Sequence, residues 1–223
     1  MRGIVRFMAA AAGFVLATCA SASTINLAGG TAGTIPDGAI NNFISAGLFG
    51  GPTIGGYYGT QISAVGGPIT FEYFGAEAGF VNTFVFDGAT LFSHPGGTNI
   101  AASLAAPLAS ASGGFGGGLL PFLFTVNSLS GSVSNGANPD DSIADSGPNF
   151  FASCDPFGTA AGSGGRNCSS VYLFLDDGGA GPDDDHDDFL VRMSIAEIPE
   201  PGSFLLLGSG LLGLGFLARR FRK

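Results

Sequence analysis

Ile69-Thr70-Phe71-Glu72-Tyr73-Phe74, followed by Phe80-Val81-Asn82-Thr83-Phe84-Val85-Phe86, decides the fold class. Ile69, Phe71 and Tyr73 alternate with Thr70, Glu72 and Phe74, and Phe80, Asn82, Phe84 and Phe86 repeat the same period of two, which belongs to half-buried strands. Asp87-Gly88 supplies residues that tolerate positive φ, and Ala89 to Ser93 returns, so Phe80 to Ser93 reads as a hairpin. Further strands are expected at Leu119 to Val126, Val171 to Leu175 and Phe189 to Ile195. In the last, Phe189, Val191, Met193 and Ile195 share one face, with Arg192 and Ser194 on the other. The stretches Ser110 to Gly118 and Ser130 to Pro148, rich in Gly, Ser, Asn and Pro, read as loops, and Asn41 to Leu48 as a short helix. No repeat period emerges. The expectation is a mainly β chain whose body is a single antiparallel β-sandwich or jelly-roll-like domain.

Composition agrees. Glycine is abundant (39 residues), Phe heavily used (21), Trp absent and charge sparse (11%), which suits short strands and many turns and excludes a charge-driven disordered chain. Six of the eight basic residues lie at the two ends, so between Ser23 and Pro199 sixteen acidic side chains face only Arg166 and Arg192. Nucleic acid is excluded as a partner, because its phosphates require clustered Lys or Arg. Cations are the natural partners of such a body.

The ends read as addresses. Arg2 and Arg6, the apolar stretch Phe7 to Ala17 and the small residues Ala20-Ser21-Ala22 make residues 1–22 a cleavable signal peptide with Ser23 as the new N-terminus. A membrane anchor is the alternative, but the stretch is short for a span. Lipoprotein processing at Cys19 would need a smaller residue where Thr18 stands. Residues 23–197 form the body. From residue 198 the chain runs through Pro199-Glu200-Pro201, an apolar segment Gly202 to Ala218 expected to be a transmembrane helix, and the cluster Arg219-Arg220-Phe221-Arg222-Lys223. Such a helix reaches about 25 Å against a hydrocarbon core of about 30 Å. The basic cluster stays cytoplasmic by the positive-inside tendency, leaving the acidic body outside.

The order Pro-Glu-Pro, Gly/Leu-rich helix, arginine cluster resembles the PEP-CTERM sorting tail. That resemblance implies recognition of Pro199, Glu200 and Pro201 by an exosortase in the inner membrane of a Gram-negative, exopolysaccharide-producing cell, with the body delivered to the cell surface or extracellular matrix. The block Ile69 to Phe84 is similar to one common in such proteins. Phe174-Leu175-Asp176-Asp177-Gly178, followed by Asp183 to Asp188 and Phe189-Leu190-Val191, resembles the closing Asp-rich motif of exported β-sandwich families such as the DUF4114 type, which would make Ca²⁺ the ligand of the acidic turn. His186 and Asp187 stand where those families often have an aromatic residue and Asn.

The residues themselves leave two readings of that turn. Five carboxylates within Asp183 to Asp188, around His186, repel one another unless solvated, protonated or bound to a cation. In an extended segment Asp183, Asp185 and Asp187 project to one side, Asp188 follows, and Asp176 and Asp177 lie across a Gly-rich turn on the paired strand. Hard oxygen ligands suit Ca²⁺, although Asp188 stands where an EF-hand loop requires Gly. The other reading is a solvated acidic loop. Cys154 and Cys168 are the cysteines remaining after signal removal and pair most simply as a disulfide across a Gly-rich loop.

Enzyme chemistry finds little support. There is no Gly-x-Ser-x-Gly elbow, His-Glu-x-x-His, Cys-x-x-Cys or phosphate-binding loop with Lys. His94 precedes Pro95-Gly96-Gly97 and reads as a turn residue. Glu72 and Glu77 offer a glycosidase-like pair, against which strand alternation leaves Glu72 simply exposed. The expectation is a non-enzymatic surface or matrix protein. Its rivals are a module that holds exopolysaccharide on exposed Tyr57, Tyr58 or Tyr73, and a secreted hydrolase.

Overall fold

The computed structural model describes residues 24–36, 41, 43, 47–127, 131–140, 147–178, 185–196, 210 and 214. Two compact units divide the chain, the body Ala22–Ile198 and a unit of the two termini, Met1–Ser21 with Pro199–Lys223. The signal peptide and Pro199, Glu200 and Pro201 lie outside the described residues, as does nearly all of the tail helix. Among the described residues no helix is long and apolar enough to cross a membrane.

The body is built of antiparallel β-sheets. The largest sheet runs β2 (Thr31–Pro36), β3 (Thr53–Tyr58), β13 (Asn149–Ser153), β15 (Ser170–Asp176), β16 (Phe189–Ile195) and β5 (Gly67–Ala78). The free edge of β5 is then shared by β8 (Gly97–Ile100), which pairs its end, and β9 (Ala109–Phe115), which pairs its beginning. A second sheet runs β12 (Ser132–Ser134), β11 (Phe122–Val126), β6 (Asn82–Phe86) and β7 (Ala89–His94). A third runs β10 (Gly118–Leu119), β4 (Gln61–Ala64), β1 (Ile25–Ala28) and β14 (Asn167–Cys168).

The central strands of the large sheet are buried on both faces. Val171, Leu173 and Leu175 of β15 and Phe189, Val191, Met193 and Ile195 of β16 join Phe84, Phe86, Phe92, Phe122 and Phe124 of the second sheet in one core. Rings cross the interface between Phe71 and Phe86 (4.6 Å), Tyr73 and Phe92 (5.7 Å), and Phe124 and Phe189 (5.9 Å), within the range at which aromatic pairs attract. On the other face Tyr172, Phe174 and Leu190 pack with Phe151, Phe43, Leu48 and Phe49. Strand β15 is therefore buried almost continuously, as expected of a strand covered on both sides.

The alternation in β5 breaks at Phe74. Leu190 pairs with Gly75 and Val191 with Tyr73, so Phe74 is the extra residue of a β-bulge. Before it, Ile69, Phe71 and Tyr73 face the first core; after it, Ala76 and Ala78 do, while Phe74 itself enters the second. The bulge shifts the parity of the strand by one. Gly75 makes it possible, with φ at 124° and Asn99 O only 2.1 Å from where a Cβ would sit.

The hairpin β6–β7 turns at Asp87-Gly88 with φ of 49° and 76°, both positive as a type I′ turn requires. Phe80, however, is exposed and precedes the strand. Most of Ser110 to Gly118 is strand, with Gly116-Gly117 left as the connection to β10: β9 pairs with Gly67 to Tyr73 along its full length, because small side chains suffice at an edge whose stability comes from the ladder. Ser132–Ser134 is likewise a strand, while Leu120-Pro121 interrupts the expected Leu119 to Val126. Of the expected helix at Asn41 to Leu48, Phe43 is helical, and Leu48 N–H bonds Phe43 O across Gly47 (φ 78°), the pattern of a helix C-terminus.

Cys154 and Cys168 are joined by a disulfide, with Cα atoms 5.8 Å apart. It ties the end of β13 to β14 and so the large sheet to the third.

Candidate metal centre

Strands β15 and β16 are antiparallel neighbours, and their register carries Leu175 against Phe189. The acidic residues beyond that pair are thereby brought together at one end of the hairpin. Asp188 N–H bonds Leu175 O at 3.1 Å, and Asp177 N–H donates to Asp188 Oδ2 at 2.8 Å. Gly178 N–H donates to Asp176 Oδ1 at 2.8 Å. Glu77 N–H on β5 bonds Asp187 O at 2.9 Å, fastening the turn to the next strand.

Residues 185–188 form a turn and not the extended run that would have sent alternate carboxylates to one side. The solvated-loop reading fails for Asp176, Asp177, Asp187 and Asp188, which are at most 5% exposed. Asp185 is half-buried, and Asp183 lies outside the described residues. Among the described residues, no three Asp, Glu, His or Cys side chains form a ready-made ligand set.

Burial, then repulsion from Asp177, pushes the Asp188 carboxyl up to about 10, with Asp185 and Asp176 adding to the rise and the Asp177 N–H opposing it. The two body arginines lie elsewhere. Arg192 pairs with Glu72 at 2.6 Å and bonds Tyr172 Oη, and Arg166 donates to the carbonyls of Leu27, Gly29 and Gly30. Each guanidinium also lies over an aromatic ring, Arg166 at 4.1 Å from Tyr57 and Arg192 at 5.3 Å from Phe74.

Asparagines surround the cluster. Asn82, the first residue of β6, is fully buried, with Nδ2 2.7 Å from Asp177 Oδ2 and 3.2 Å from Asp188 O, while its Oδ1 has no hydrogen-bond partner. Asn149 on β13 sits opposite Asp176 and meets His186 Nε2 through Oδ1 at 3.0 Å. His186 is wholly buried, its N–H bonding Asn41 Oδ1 and its ring packed against Tyr58 and Phe151. The sequence did hold a signal for Asn82, a polar residue in a core-facing slot between Phe80 and Phe84; the register that sets it on Asp177 was not visible there.

The other sequence-expected sites change character. Tyr57, Tyr58 and Tyr73 are buried at 8% exposure or less and cannot serve as stacking platforms. Tyr73 Oη meets Nδ1 of His94 at 3.0 Å, and Nε2 of that buried histidine meets Gly97 O, so His94 is a core residue at the end of β7. Glu72 is held by Arg192 and is not simply exposed.

No curated protein and no solved structure matches the chain. Residues 197–223 match the PEP-CTERM protein-sorting motif, which implies an exported protein recognised by an exosortase during sorting toward the cell surface.

Proposed function

We propose that the chain is a non-enzymatic protein of the cell surface or extracellular matrix of a Gram-negative bacterium, associated with exopolysaccharide after exosortase sorting and stabilised by Ca²⁺ at the β15–β16 turn. The observation that carries the sorting part is the match of the last residues to the PEP-CTERM motif. Its Pro199-Glu200-Pro201 is followed by an apolar segment and an arginine cluster, an order that a plain tail anchor does not require. The matrix role is supported by a body with two basic and sixteen acidic side chains between Ser23 and Pro199. Such a surface attracts cations and repels nucleic acid. Burial of four carboxylates supports the Ca²⁺ reading, since charges removed from water need a counter-charge or a proton. Burial of the three tyrosines and engagement of Glu72 by Arg192 weaken the glycan-module and hydrolase readings.

The test is fractionation in the native host. Deleting residues 199–223 should leave an exported body that no longer passes through a membrane-bound intermediate. Identical fractionation of the full-length and truncated proteins overturns the sorting role.

A further inference from the structure

The Asn82 carboxamide is the part of the acidic turn that the carboxylates do not account for. It comes from the second sheet, reaches across the core, and places its nitrogen against Asp177 Oδ2 and the carbonyl oxygen of Asp188. Its oxygen, at the other end of the same buried carboxamide, meets no donor. A buried carbonyl oxygen without a partner is costly, and a carboxamide has a second orientation in which oxygen and nitrogen exchange places. In that orientation Oδ1 would stand where Nδ2 now is, 2.7 Å from a carboxylate oxygen and 3.2 Å from a carbonyl oxygen.

Three oxygens so close repel one another in a dry interior unless a cation lies between them. Neighbouring ligands around Ca²⁺, held at about 2.4 Å from the ion in a five-membered ring of oxygens, are themselves roughly 2.8 Å apart. The spacing of the Asn82 amide and Asp177 fits that ring. Neither body arginine is directed at the turn, since both are committed to other partners.

We propose that Asn82, Asp177 and Asp188 together form a Ca²⁺ site that joins the second sheet to the β15–β16 hairpin, the Asn82 carboxamide turning over to present its oxygen when the ion binds. This rests on reading the acidic turn as a cation site and adds the ligand from the opposite sheet. A carboxamide, a carboxylate pair, a main-chain carbonyl and water make a hard, irregular oxygen set that suits Ca²⁺ better than the small octahedral Mg²⁺. Without the ion, the amide donates to Asp177 as described.

The test uses the full-length chain in mild detergent, titrated with CaCl₂ by calorimetry and melted in CaCl₂ or in NaCl of equal ionic strength. The parent should bind Ca²⁺ and melt higher in CaCl₂, Asn82→Ala should bind at least tenfold more weakly, and Asn82→Asp should keep the response through its carboxylate oxygen. The Asn82 side-chain NH₂ resonance of the parent, identified by its loss in Asn82→Asp, should shift on Ca²⁺ addition as the amide leaves Asp177, which tests the claim even if Asn82→Ala fails to fold. Parent-like Ca²⁺ binding by Asn82→Ala, or an unmoved NH₂ signal while Asp177→Asn loses binding, overturns the Asn82 ligand and leaves the turn as a cation site. If the parent responds equally to CaCl₂ and NaCl, the cation reading itself falls, and this site with it.

Discussion

The Asn135 carboxamide closes both hydrogen-bonding groups of Ile62: Oδ1 accepts from the Ile62 N–H at 2.8 Å and Nδ2 donates to the Ile62 carbonyl at 2.6 Å. The same Nδ2 reaches Leu120 O at 2.9 Å. Leu120 N–H, just past the end of β10, also reaches the Ile62 carbonyl at 3.0 Å, so the group that depends on this buried side chain is the Ile62 N–H. Asn135→Ala should lower stability by about 1–3 kcal/mol, since it takes the acceptor from the buried Ile62 N–H, while the Ile62 and Leu120 carbonyls keep the N–H groups of Leu120 and Phe122. Chemical denaturation of the two proteins measures the difference; a loss well under 1 kcal/mol would mean that solvent reaches Ile62.

The bulge in β5 makes a second prediction. A Cβ at position 75 would meet Asn99 O, and the φ of 124° disfavours any L side chain. Gly75→Ala should cost about 3 kcal/mol or more, against a small effect for Gly79→Ala, whose Cβ has open space. Equal melting temperatures for the two variants would show that the parity shift between Tyr73 and Ala76 does not depend on glycine.

Acid should stabilise the metal-free protein. The Asp188 carboxyl, raised to about 10 from an ordinary 3.8, keeps a proton in the folded state that the unfolded chain has released. The stability this proton provides is fully present below the unfolded value and is lost as pH rises toward the folded one. Among the described residues, Asp188 faces the Asp177, Asp185 and Asp176 carboxylates, the Asp177 N–H and the Asn82 amide bonded to its carbonyl. In EDTA and moderate salt, melting temperature should therefore fall between about pH 5 and about pH 8, and Asp188→Asn should flatten that slope. A parent melting temperature that rises over this interval contradicts the assignment.

Periodicity made the hairpin at Asp87-Gly88 and the faces of β16 legible, because β6 and β7 have one core to satisfy and β16, although Leu190 enters the second core, keeps the half-buried Arg192 and Ser194 opposite its apolar face. It was silent for β3 and β13. Ile54 and Tyr58 of β3 and Phe151 of β13 fill the second core while Tyr57, Phe150 and Ala152 fill the first, and a strand covered on both faces has no polar side to alternate with. Strand β9 was missed for the opposite reason, since Ala, Ser and Gly at an exposed edge resemble a loop in composition and only the partner shows otherwise. At the acidic turn, the pairing of Asp176 and Asp177 with the segment before β16 could be read from two flanking strands. The meeting with Asn82 could not, because it depends on how two separate sheets stack.

Both side-chain cations of the body are turned to internal use, Arg192 between Glu72 and Tyr172, Arg166 over Tyr57 and against the carbonyls that follow β1. In colloidal terms the body is a particle of one sign. Two copies meeting in dilute medium have no lysine or arginine left to offer each other, and their mutual repulsion extends over the Debye length, roughly 30 Å at 0.01 M salt and about 8 Å at 0.15 M. The distance at which copies can settle beside one another is consequently set by the salt outside the cell, so packing density in any assembled layer becomes a property of the medium as much as of the chain.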